Sequence, residues 1–240
     1  MSRRTCFPAN EADLSKNLKI DVPLYAAVSR YLYQRNSNLF SSVNTGNLET
    51  ATVAGKTGVR MKGGDISFSY WLTGASSGFP IAIRINPGSQ LLALSYFMAP
   101  QPSAHGHGWF FELVDKEGSF DSSEQAALAS SYGGDARQFK PFWTSAYIIA
   151  PPPADKWTHV TTVYQQDGTG IVYYDGIEKG RTAITSLKGR YYGIGFRHTA
   201  SDGVNDSLAA FRQLKLWIGE AFSPDMVVAL YEKESTELFT

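Results

Sequence analysis

Short runs of alternating apolar and polar residues, separated by turn-forming pairs, limit what this chain can fold into more than any other feature. In DISFSYWLT, Ile66, Phe68, Tyr70 and Leu72 fall on one side of the alternation and Ser67, Ser69, Trp71 and Thr73 on the other. Successive residues of a strand leave its two faces in turn, so this pattern predicts a strand with one face buried. FPIAIRI repeats it through Ile81, Ile83 and Ile85, and Asn86-Pro87-Gly88-Ser89 then turns the chain into QLLALSYFM. Further strands are predicted over 108–114, 157–165, 171–174, 190–197 and 208–217, with turns at Asp115-Lys116-Glu117-Gly118, Asp167-Gly168 and Asp175-Gly176. Closely spaced strands with helical patterns only near the ends predict an all-β, antiparallel two-sheet sandwich or jelly roll.

The ends read differently. Residues 1–20 are largely polar and without period, as expected of an arm, and Leu24, Tyr25, Val28, Tyr31 and Leu32 then make a helical stripe over 22–34 with Asp21 as its cap. Near the other end, FSPDMVVALYEKE offers Ser223 as cap, Pro224 at the first helical position and Asp225 in the positive first turn, with Met226, Val227, Leu230 and Tyr231 as an apolar face. A helix of about three turns is predicted there. Between them, 118–155 is irregular, an excursion closed by Pro151, Pro152 and Pro153, which cannot sit in a central strand. No linker divides the chain, so it reads as a single domain: an arm and short helix over 1–43 and a sandwich over 44–240.

Composition excludes several classes. With 43% hydrophobic residues in 240, the chain can build its own core. Its 22 basic and 22 acidic residues cancel, where a nucleic-acid or anionic-membrane binder carries a basic excess. A lone cysteine, Cys6, allows neither an internal disulfide nor a zinc cluster. No apolar run follows the basic residues of MSRRTC, so no signal peptide is visible and a cytoplasmic or leaderless exported protein is expected; no stretch approaches a membrane span.

KWTHVTTVYQQDGTGIVYYDGIEKG resembles the W-x-H-V … Y-D-G … L-Y-x-D-G hairpin pair of laminin G-like, concanavalin A-like domains of the lectin and glucanase superfamily. DISFSYWLT is similar to that family's SFWV strand, and LKLWIGEAFSPDMVVALYEKE to its last strand followed by LSPEEIAALY. The resemblance implies a concanavalin A-like jelly roll with one concave face, in which Trp157, His159, Val160 and Tyr164 are structural. The paired acids of I-D-D-V-R-I-Y are missing: this chain has Phe211-Arg212-Gln213-Leu214-Lys215-Leu216-Trp217.

Catalytic patterns fail on context. Gly74-Ala75-Ser76-Ser77-Gly78 fits G-x-S-x-G, but a nucleophile elbow opens a helix, and Phe79-Pro80-Ile81-Ala82-Ile83 alternates like a strand. Relatives that cleave glycans carry E-x-D-x-x-E, whereas Glu112, Asp115 and Glu117 neither match that spacing nor share one strand face. Binding residues are easier to nominate. Aromatic faces stack on sugar rings while planar polar groups take paired hydroxyls, and Trp109, Trp143, Tyr147, Arg190, Tyr191 and Tyr192 supply these types at predicted loops and strand ends. Each has packing as its alternative; Trp143, beside Pro141 and Phe142, is the one most expected to be exposed. His105-Gly106-His107-Gly108 reads as a metal pair lacking a third ligand, as a sugar contact by His107 beside Trp109, or as a glycine-loosened loop. In 198–207, Asp202, Asn205 and Asp206 offer calcium or hydroxyl-binding oxygens, with plain turn formation as the simpler reading. Asn205-Asp206-Ser207 is also a glycosylation sequon in an exported chain.

The expectation is a non-catalytic, lectin-like module that recognises a glycan or glycoprotein through loops and the concave face, with Asp202 and Asp206 as ligands if calcium takes part and no other cofactor. The alternative is a protein-binding or self-assembling structural component of a toxin, virus or surface; a glycoside hydrolase ranks below both.

Overall fold

The computed structural model describes residues 13–25, 31–32, 41–42, 48–61, 68–71, 92–100, 107–113, 128–133, 138–142, 147–183, 194–199, 209–220 and 222–239. In chain order the elements are β1 (Leu18–Val22), β2 (Tyr31–Leu32), β3 (Ser41–Ser42), β4 (Leu48–Val53), β5 (Lys56–Met61), β6 (Phe68–Trp71), β7 (Leu92–Pro100) and β8 (His107–Leu113). Next come β9 (Leu128–Gly133), β10 (Gln138–Phe142), β11 (Tyr147–Ile149), β12 (Thr158–Tyr164), β13 (Thr169–Tyr174), β14 (Ile177–Ala183), β15 (Ile194–Thr199), β16 (Ala209–Ile218) and the helix α1 (Pro224–Phe239). The chain is thus mostly β with a closing helix.

Two antiparallel sheets hold most strands. The larger runs β14-β13-β12-β7-β16-β5-β4, with β1 also on β16; the smaller runs β11-β10-β9-β8-β15-β6; β2 and β3 pair apart. The hairpin expected from the sequence is there. Val160 to Tyr164 of β12 pair with Tyr174 to Gly170 of β13, and β13 turns back into β14 through Asp175 (φ 50°) and Gly176 (φ 77°), both left-handed as a two-residue hairpin turn requires. The sheets meet where Phe139 of β10, fully buried, lies against Tyr174 of β13 with 6.1 Å between ring centroids.

The large sheet's other face carries α1. Val227 and Leu230 join Ala93, Val163, Ile171, Tyr173, Trp217 and Phe222 in one apolar cluster, and Leu238 joins Ala51, Val53, Phe97, Ala99, Trp157 and Ala210 in a second. The helix starts as the sequence predicts, Met226 N–H donating to Ser223 Oγ at 3.2 Å. At 16 residues it is longer than the apolar tetrad alone suggests, because Glu234 and Leu238 continue the buried stripe.

A bulge decides which residues of β16 meet α1. Opposite β7, Arg212 pairs with Phe97 and Lys215 with Ser95, so β16 carries one extra residue there. Gln213, at φ 52°, donates its N–H to Pro23 O at 2.8 Å. Before the bulge Ala210 belongs to the α1 side; after it the alternation is inverted, and Lys215 and Trp217 take that side.

Two expectations are corrected. No helix spans 22–34 as far as the described residues go: Val22 ends β1, Leu24 has φ 52°, and Tyr31–Leu32 are extended, while 26–30 lie outside the described residues. β5 pairs with β16 only at Ala210 and Phe211, leaving the rest of that edge open, and β1 fills it from Leu18↔Trp217 to Val22↔Leu214. Backbone pairing along an open edge overrides a local apolar stripe. The stretch from 13 to 20, read as part of a polar arm, is therefore docked, and Trp217 Nε1 donates to Leu14 O at 2.7 Å. The stretch 118–155, read as an irregular excursion, holds β9, β10 and β11 among its described residues; the three prolines do stand outside any strand.

Gly58 is a close-approach site. A Cβ there would lie 2.5 Å from the Trp157 ring and 2.6 Å from the Phe211 carbonyl oxygen. Trp157 is itself tied down, its Nε1 donating to Val53 O at 2.9 Å. Gly58→Ala is expected to cost about 1–3 kcal/mol by overpacking, read as a lower urea midpoint with unchanged slope. An unchanged midpoint would show that the ring and strand can part freely.

Candidate functional site

Register in the smaller sheet brings together residues far apart in sequence. His107 and Trp109 lie on β8, opposite Gly133 and Ser131 of β9 and opposite Thr199 and Arg197 of β15. Arg197 in turn pairs with Ser69 of β6, Gly195 with Trp71, and Lys140 of β10 with Ser131. One cross-strand row therefore reads Lys140, Ser131, Trp109, Arg197, Ser69. The adjacent row reads Phe139, Tyr132, Gly108, His198, Phe68, and it is the row that contains the inter-sheet contact of Phe139. Rows alternate between the two faces of a sheet, so the Trp109 row falls on the alternate positions.

Of the residues nominated from sequence, only His107, Trp109 and Tyr147 fall within the described residues. Tyr147 opens β11 and pairs with Phe142, at the far edge from β8. Trp143, Arg190, Tyr191, Tyr192, Asn205, Asp202 and Asp206 lie outside the described residues, as do His105, Asp115, Glu117 and 74–78. His107 and Trp109 share β8, two residues apart, and two intervening strands separate Tyr147 from them. Neither Trp71 nor Arg197 stands out by sequence alone, although Trp71 occupies the serine and threonine side of its strand's alternation, a position where a packed core tryptophan is not expected.

A second group of reactive side chains is closed off beneath α1. Glu234 is fully buried; its Oε1 accepts from Lys215 Nζ at 2.6 Å and its Oε2 from His159 Nε2 at 2.6 Å, with Ser95 Oγ 3.5 Å away. A carboxylate only accepts, so Nε2 of His159 carries a proton, and Nδ1 faces the Thr161 hydroxyl at 3.4 Å. Phe97 and Tyr231 pack against the imidazole. Burial opposes the charge of Glu234, yet the hydrogen bond and charge of His159 and the pairing with Lys215 outweigh it and hold the carboxyl below its ordinary value. Burial likewise opposes Lys215, and Glu234, Asp21 and Glu237 outweigh it, so the ammonium holds its proton above the usual lysine range. His159, placed in the sheet by the sequence pattern, is thus a packed residue with no access to solvent. The cluster fastens the helix to the sheet.

Among the described residues no group of three or more His, Cys, Asp or Glu is arranged to hold a metal ion, and no helix is long and apolar enough to cross a membrane.

No protein-family model matches the sequence, and no curated protein matches it significantly. Solved structures do resemble the fold. Trypanosoma rangeli sialidase superposes with a TM-score of 0.61 at 15% identity, over 91% of this chain and 33% of the sialidase. The botulinum neurotoxin serotype D ligand-binding domain, in complex with N-acetylneuraminic acid, gives 0.59 at 12% identity, over 94% of this chain and 53% of that domain. The receptor-binding domain of botulinum neurotoxin D gives 0.58 at 11%. The chain therefore spans about a third of the sialidase and half of the toxin domain, and at these identities the likeness is one of fold.

Proposed function

We propose that the protein is a non-catalytic, lectin-like binding module, built as a two-sheet concanavalin A-like (laminin G-like) jelly roll and recognising carbohydrate. The observation that carries this reading is the placing of His107 and Trp109 in one pair of rows with Thr199, Arg197 and the small residues Ser131 and Gly133, on a sheet other than the one α1 packs against. Aromatic and hydrogen-bonding residues on adjacent strands are what a sugar ring requires. The likeness of fold to part of a sialidase and part of a sialic-acid-binding toxin domain supports it, because both larger proteins handle sugars. Screening the full chain against a glycan array with and without calcium tests it, together with Trp109→Ala and Trp143→Ala. The expected result is capture of a defined glycan class that Trp109→Ala abolishes; no capture of any glycan sinks the reading. Loss of capture on removing calcium would favour Asp202 and Asp206 as its ligands.

A second reading, a protein-binding or self-assembling component, draws on Ile177 and Val228, which are 63% and 40% exposed; Ile177 follows Gly176 in the chain and Val228 lies close to it. The strand that begins at Ile177 also carries Glu178, Lys179 and Arg181, charges that discourage edge-to-edge pairing. Light scattering that finds an oligomer broken by Ile177→Glu would favour this reading.

A further inference from the structure

The smaller sheet carries more than a single aromatic. β15 lies between β6 and β8, so Arg197 has Ser69 on one side and Trp109 on the other, while the next residue of the same parity, Gly195, faces Trp71. Trp71 and Trp109 therefore flank β15 from either side, two residues out of step along it, roughly 12 Å between backbones. The positions around Arg197 on these strands are held by Gly195 and Ser69, residues with little bulk of their own. Lys140 lies two strands beyond Trp109 on the same row, and His107 and Thr199 occupy the next row of the same parity. Glu112, opposite Gly195, is the acid of this group; Arg197 and Lys140 exceed it in charge.

That composition is specific in what it favours. Two tryptophans offer stacking surface to the apolar face of a sugar ring, as any lectin site does. A guanidinium can donate to the paired hydroxyls of a neutral sugar, but a carboxylate or sulfate matches its fork with two parallel, charge-assisted hydrogen bonds, which are the stronger. We propose that β6, β15 and β8 form a binding site for an anionic sugar, with Trp71 and Trp109 as its platform and Arg197 as the group that takes the acid. The proposal rests on the carbohydrate-binding reading and adds the ligand's chemical class and two residues.

The test uses the full chain and matched oligosaccharides: a sialylated or uronate-bearing one, its neutral counterpart lacking the acid, and a sulfated counterpart. The acidic members are expected to bind about tenfold or more tightly than the neutral one, the difference made by one charge-assisted contact. Arg197→Gln should erase that preference while leaving residual binding to all three. Ser69→Asp, which sets an anion on the Arg197 row, should cut acidic binding about tenfold or more and spare the neutral sugar, with thermal melts confirming that each variant is folded. The carboxylate and sulfate arms tell which acid Arg197 takes. Equal binding of neutral and acidic sugars, or a preference that survives Arg197→Gln, overturns the site while leaving a lectin in place. Binding of no sugar at all removes the parent reading and this one together.

Discussion

Replacing Glu234 by leucine is expected to destabilise the protein by about 3–5 kcal/mol, although leucine is the better helix former and would extend the stripe of Val227, Leu230 and Leu238. The cost lies in what remains. Lys215 is 8% exposed and would keep its ammonium beneath α1 without its carboxylate; His159, fully buried, would keep an Nε2–H with no acceptor. Removing one member of a buried pair costs far more than removing both, because the survivor's desolvation is no longer compensated. Lys215→Met combined with Glu234→Leu should therefore recover the share of the loss that comes from Lys215, Met being flexible enough to fill the vacated space, while His159 Nε2–H still lacks its acceptor. Urea unfolding of the two single variants and the double gives the coupling directly. A Glu234→Leu midpoint at the wild-type value would mean that the three groups are solvated in solution, and that α1 is held by its apolar face alone.

How much of this is legible in the sequence depends on whether the decisive contact is local. The hairpin joining β12 and β13, the Ser223 cap and the buried place of His159 all follow from residues a few positions apart, and the strands β8, β12 and β16 follow from alternation. The bulge at Gln213 does not: Phe211-Arg212-Gln213-Leu214-Lys215-Leu216-Trp217 gives no sign that the faces invert, and that inversion alone brings Lys215 under α1. The turn at Ala54-Gly55, with φ of 47° and 76°, sets an alanine where Asn or Asp is usual, so it carries no turn signal. The stripe that starts at Leu24 and Tyr25 does not open a helix there, because the preceding segment pairs with the edge of β16 and Leu24 leaves it at φ 52°. For the candidate site the missing quantity is strand order. That β15 lies between β6 and β8 is set by pairing over more than a hundred residues in the case of β6, so Trp71, Arg197 and Trp109 look unrelated until the register is known.

Acid should loosen α1 through the same cluster. Glu234 is held below its ordinary carboxyl value in the folded chain, so between the folded and unfolded values the unfolded state binds the extra proton. Stability contributed by the carboxylate is then fully present above the unfolded value, near 4.3 for a free glutamate, and is lost as pH falls through the lower folded value. Lys215 works at the other end: its raised value means that its contribution is complete below the ordinary lysine range and disappears only as pH rises past it. Between these limits neither Glu234 nor Lys215 makes stability depend on pH. The groups facing Glu234 are His159 from β12, Lys215 and through it Asp21 of β1, and Ser95 of β7; protonating the carboxylate removes the anion that all the donors share. Glu234→Gln imitates that protonated state at neutral pH, so its unfolding free energy should be low throughout and should fall less steeply than wild type below about pH 5. Hydrogen exchange adds the location: in wild type at acid pH, and in Glu234→Gln at neutral pH, the amides of α1 should lose protection before those of β7 and β12, since the described backbone hydrogen bonds of α1 stay within the helix and its cap. Parallel stability-pH curves for the two proteins would rule out Glu234 as the titrating group, and simultaneous loss of protection in helix and sheet would show that the cluster is part of the global core and not a separate fastening.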